Sequence, residues 1–73
     1  MNIGMLWFDN RPGASLAEKV ENAARYYCEK YGRAPNVCFV NQAEVGTVEG
    51  VTIRTHRGIM RNHYWLGVEK DEG

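Results

Sequence analysis

Residues 15–32 read SLAEKVENAARYYCEKYG, and they decide the fold because they alone carry a start signal, a stop signal and a sustained helical period. Ser15, with Glu18 three places on, makes a capping box, in which each side chain satisfies a first-turn amide that the helix leaves without a partner. Gly32 is the stop, since a left-handed terminal residue costs glycine no Cβ clash. Leu16, Val20, Ala23, Ala24, Tyr27 and Tyr31 recur at intervals of three and four and form one apolar stripe. Glu18, Glu21, Asn22, Arg25 and Glu29 fall opposite. The pattern predicts a helix over residues 15–31 whose stripe lies on something apolar.

Outward from the helix, the flanking segments read as strands. Residues 3–8, IGMLWF, are apolar on both alternating sets, Ile3, Met5 and Trp7 on one and Gly4, Leu6 and Phe8 on the other. A strand covered on both faces is expected to be central. Residues 9–13, DNRPG, have turn chemistry and deliver the chain to the helix cap. Beyond the helix, residues 36–41 alternate Val37 and Phe39 with Cys38 and Val40, a second two-sided strand. A strand, helix and strand on short loops predict a right-handed crossover with the two strands parallel in one sheet.

The second half is more polar. Residues 42–50 have no sustained period and read as a loop, with a turn at 45–47. Residues 51–55 alternate Val51 and Ile53 with Thr52 and Arg54, the pattern of a half-exposed edge strand whose charge discourages unwanted pairing. Residues 63–69 place Tyr64, Leu66 and Val68 on one face and His63, Trp65, Gly67 and Glu69 on the other. The tail, residues 70–73, is charged and expected to fray. The whole chain, residues 1–73, is therefore expected to be a single small α+β domain of order β-α-β-β-β, one helix packed on one face of a four-stranded mixed sheet.

Composition narrows the function classes. Nine Lys and Arg balance nine Asp and Glu, so the general attraction of a nucleic-acid or membrane-surface binder is missing and only a local patch could supply it. The apolar run at residues 3–8 has no basic segment before it and no small-residue cleavage site after it, and it falls far short of the about 20 residues that span a bilayer. Two cysteines, Cys28 and Cys38, suit a reducing cytoplasm, where this chain is expected to reside.

Several groups of residues carry candidate chemistry. Ligands of parallel sheets tend to sit beyond the carboxyl ends of strands, which here carry Asp9, Asn10, Asn41 and Gln42, able to bind a polar small molecule. The same residue types close turns by Asx bonding, and no nucleophile and base accompany them, so no catalytic residue is assigned and the chain is expected not to be an enzyme. Residues 54–63, RTHRGIMRNH, concentrate Arg54, His56, Arg57, Arg61 and His63 without an acid and could hold an anion or a nucleic-acid backbone, with Tyr26 or Trp65 for stacking. Glu44 and Glu49, or those of a second copy, are the expected neutralising partners, so nucleic acid is possible but not favoured. No metal or other cofactor is expected: Cys28 and Cys38, with nine residues between them, and His56 and His63, with six, lack the close ligand pairs of structural zinc sites.

A single helix leaves the other sheet face with no layer of this chain to cover it. Trp7 and Trp65, with Met5 and Cys38, are expected on that bare face. A domain of this size buries only about 60% of its unfolded surface and gains much from a partner. The expectation is a homodimer joined through that face, an interaction module without catalytic chemistry.

Overall fold

The computed structural model describes residues 4–44 and 46–69, and in it one helix lies on one face of a four-stranded mixed sheet. In chain order the elements are β1 (Gly4–Phe8), α1 (Leu16–Tyr31), β2 (Val37–Val40), β3 (Thr52–Thr55) and β4 (His63–Gly67). Ile3, Val45 of the expected turn, and the tail at residues 70–73 lie outside the described residues.

The helix forms as its ends dictate. Ser15 Oγ accepts from Glu18 N at 3.1 Å, and the Ser15 amide donates to Glu18 Oε1 at 3.0 Å, completing the capping box. Gly32, at φ 79°, turns left-handed and its amide returns to the Cys28 carbonyl at 2.8 Å. Val20, Ala23 and Tyr27 of the stripe are buried, with Leu16, Ala24 and Tyr31 packed around them. Lys19 is buried too, a departure from the apolar reading of that side.

The sheet order is β1-β4-β2-β3. β1 and β2 run parallel, as the crossover implies, but β4 lies between them and is antiparallel to both. β3 pairs parallel with β2 and forms one edge, as its polar alternation predicts. β1 is not central, as its two apolar faces suggested, but the other edge. Its Met5 and Trp7 pack toward the helix side, while Leu6 and Phe8, on the opposite face, are each 55% exposed.

The two loops of the second half go to opposite tasks. The segment between β2 and β3 folds onto the helix side, where Gly46 backs onto Leu16 and Val48 is buried in the core. The segment between β3 and β4 must pass across the end of β2, and Asn41 pegs it there through an Nδ2 donor to the Ile59 carbonyl at 2.8 Å. It ends at Asn62, which adopts φ 64°, a left-handed conformation that asparagine tolerates better than most residues. The Asn62 carbonyl then accepts from Asp9 N at 2.9 Å and carries the β1–β4 ladder one residue further.

Candidate interaction surface

Strand pairing sorts the side chains into two faces. Met5, Leu66, Cys38 and Ile53 form one cross-strand row, and Trp7, Tyr64 and Val40 the next, all on the helix side. Leu6, Trp65, Phe39 and Arg54 form a row on the other face, flanked by Gly4, Gly67, Val37 and Thr52 on one side and by Phe8 with His63 on the other.

This assignment corrects the expected membership of the bare face. Trp65 is on it, but Trp7, Met5 and Cys38 are not. Trp7 stacks on Tyr26 of the helix, ring centroids 4.6 Å apart, so Tyr26 is engaged within the chain. Cys38 is fully buried, and burial pushes its thiol up to about 12. Parity alone could not place Trp7, because both sets of β1 are apolar; the register against β4, which puts Trp7 opposite Tyr64, settles it.

The helix-free face is aromatic and open. The Trp65 ring lies over Gly4, where any Cβ would collide with it, so the glycine is what lets the indole lie flat on the sheet. Phe8 meets His63 at 4.9 Å and Phe39 meets His56 edge-on at 6.3 Å. Phe39, Trp65, His56 and Ile59 line a shallow hollow of about 300 Å³. None of the described residues forms a layer over it, since helix and β2–β3 loop both lie on the other side.

The polar candidates are largely committed internally. Both Asp9 oxygens are taken by Arg11: Nη2 donates at 2.8 Å, Nε at 3.0 and 3.1 Å, and the backbone amide at 3.1 Å. The Arg11 side-chain bonds hold the Asp9 carboxyl below its ordinary range against the opposing effect of burial. Asn41, besides pegging Ile59, accepts from Ala43 N at 2.8 Å. Asn10 and Gln42 are exposed, and β4 separates the strand ends that carry Asp9 and Asn41. Lys19, whose Nζ donates to Asn62 Oδ1 at 3.3 Å, and Glu44, which accepts from the Tyr64 hydroxyl at 3.2 Å, complete this end of the core. Burial first, then the Glu44 carboxylate, push the Tyr64 phenol well above its usual range. Lys19 was legible as one step from the stripe; Glu44 carried no local signal.

In the basic segment, Arg54 binds Glu69, Nη2 at 2.7 Å and Nε at 3.2 Å, rather than the expected Glu44 or Glu49. His56 Nδ1 accepts from Gly58 N at 2.9 Å, and His63 Nδ1 lies 2.8 Å from the Arg61 carbonyl, so both rings are set by their own turns. Arg57 and Arg61 are exposed and make no salt bridge among the described residues. No metal-binding group of His, Cys, Asp and Glu occurs among the described residues, Cys28 lies exposed on the helix, and no described helix is long and apolar enough to cross a membrane.

Comparison with protein-family models, with curated proteins and with solved structures gives no match for this chain.

Proposed function

We propose that this chain is an interaction module that works by self-association, as a homo-oligomer rather than an enzyme, with the helix-free side of its sheet carrying the contact. One observation carries this: Leu6 and Phe8, each 55% exposed, adjoin Trp65 and Phe39 on a face that the helix and the β2–β3 loop leave bare. Contiguous aromatic area of this kind marks docking surfaces, and two-fold closure is the commonest way for a small chain to bury it. The small-molecule alternative at Asp9 and Asn41 loses support, because their hydrogen bonds are spent on Arg11, Ile59 and Ala43. Light scattering or sedimentation at tens of micromolar, on the order that populates a specific dimer, is expected to give a dimer that dissociates in Trp65→Glu. A monomeric wild type overturns it.

A second reading is favoured by the row that ends in Arg54, with His56 lining the Phe39–Trp65 hollow and exposed Arg57 next to it in the chain: aromatic rings on a sheet with basic residues near them suit stacked single-stranded bases. Its mark is anisotropy of a labelled oligonucleotide that rises with protein at low salt, falls steeply with added salt and weakens in Arg57→Gln. No binding at low salt eliminates it.

A further inference from the structure

The outer edge of β1 has a hydrogen-bonding pattern of its own. In an antiparallel pair, residues alternate between those whose N–H and C=O both face the partner and those whose groups both face away. Asp9 N donates to Asn62 O, in register with the β1–β4 ladder, so Trp7 and Met5, two and four residues back, also face β4. Gly4, Leu6 and Phe8 therefore turn their N–H and C=O groups outward from the sheet. The two edges of the sheet are treated differently. β3, TIRT, carries Arg54 held by Glu69, whereas β1, GMLWF, has no charge and no proline. Natural sheets usually block an edge of the second kind, because it templates strand addition.

From this edge we infer that β1 is a strand-addition site whose occupant is β1 of a second copy, antiparallel and centred on Leu6. The inference rests on the self-association proposed above and sets its seam at the margin of the helix-free face: the copies meet side by side at β1, so that Leu6, Phe8 and Trp65 of that face come together across the seam. The strand is self-complementary in that register. Leu6 faces Leu6 of the other copy, and Gly4 faces Phe8, so every outward group finds a partner, for about six hydrogen bonds. On the helix-free face, Phe8 of one copy comes beside Gly4 of the other, where the Trp65 ring lies, and ring meets ring in place of water. On the helix side, Met5 of one copy faces Trp7 of the other, beside an open groove lined by Met5, Trp7, Tyr26, Glu29 and Lys30. The exposure pattern agrees. On this face the strongly exposed apolar strand residues are Leu6 and Phe8, at the β1 margin, while Phe39 and Trp65 toward the middle are half-covered.

Register-specific cross-linking tests it, in a Cys28→Ser background that removes the exposed native thiol. Leu6→Cys places two thiols on facing residues about 5.5 Å apart at Cα, and a short bismaleimide is expected to convert most of the protein to a covalent dimer. Phe8→Cys places them about 14 Å apart along the paired strands and is expected to give little. Circular dichroism and sedimentation before cross-linking verify that each variant is folded and associated as the parent is. A wild-type dimer in which Leu6→Cys fails to link, or links no better than Phe8→Cys, overturns the β1 pairing and leaves self-association standing. A monomeric wild type overturns both. If Leu6→Cys is itself monomeric, Leu6→Pro decides: it removes an outward N–H that β4 does not use, so a folded Leu6→Pro dimer as strong as wild type refutes the pairing.

Discussion

The same substitution at two leucines on opposite faces separates core from contact. Leu66 is fully buried in the inner strand β4, with Met5 and Cys38 beside it in register and the helix above. Truncation to alanine removes three carbons, worth about 2.4 kcal/mol in transfer at about 0.8 per methylene. A partly collapsed cavity raises the total to roughly 3–4 kcal/mol. A 73-residue domain has a stability of roughly 4–11 kcal/mol, so Leu66→Ala should consume about a quarter of it or more. Leu6, 55% exposed on the other face, has little transfer energy to lose within one chain, and Leu6→Ala should cost under about 0.5 kcal/mol when the protein is dilute. If Leu6 is a contact residue, that cost grows with protein concentration, because association stabilises the folded state by mass action. The assay is urea unfolding by tryptophan fluorescence at two concentrations a hundredfold apart. A cost at Leu66 below about 1.5 kcal/mol, or an equal and concentration-independent cost at both leucines, would refute the assignment of the two faces.

Two further outcomes follow from the polar groups. The Asp9 carboxyl is held below its unfolded value by Arg11, so its contribution is fully present above about pH 4 and fades as pH falls through the folded value; Asp9→Asn should flatten the acid limb of a melting-temperature profile, and an unchanged limb would count against it. With Ellman's reagent at neutral pH, exposed Cys28 should react promptly while buried Cys38, its thiol pushed up to about 12, stays silent until the protein unfolds; two fast thiols would contradict the packing.

What the sequence disclosed, it disclosed where the signal is local. The capping box, the glycine stop and the stripe through Val20 and Tyr27 are all settled within a few residues, and the helix follows them. The faces of β4 were legible as well, because Tyr64 and Leu66 alternate with a row that includes His63 and Trp65. β1 misled because an edge strand that exposes Leu6 and Phe8 has the same composition as a central one, and the difference lies in which strand stands beside it. The insertion of β4 between β1 and β2 is a long-range choice that no single segment records. It also decided which tryptophan faces the helix. Asp9 and Asn41 followed the turn chemistry of their residue types, whereas the pairing of Arg54 with Glu69 joins residues brought close only by the sheet.

The position of β4 has a consequence for the order in which this chain can be assembled. Synthesis delivers β1, the helix, β2 and β3 before the strand that joins the first of them to the rest. Until His63–Gly67 emerges, β1 has neighbours on neither side, and the helix stripe lacks the Tyr64 and Leu66 surface it rests on. The fold therefore cannot grow strand by strand from its beginning; the last strand closes it in one non-local step, the kind of topology that folds slowly for its size and exposes apolar edges meanwhile. A chain stopped after β3 would lose not a peripheral strand but the keystone.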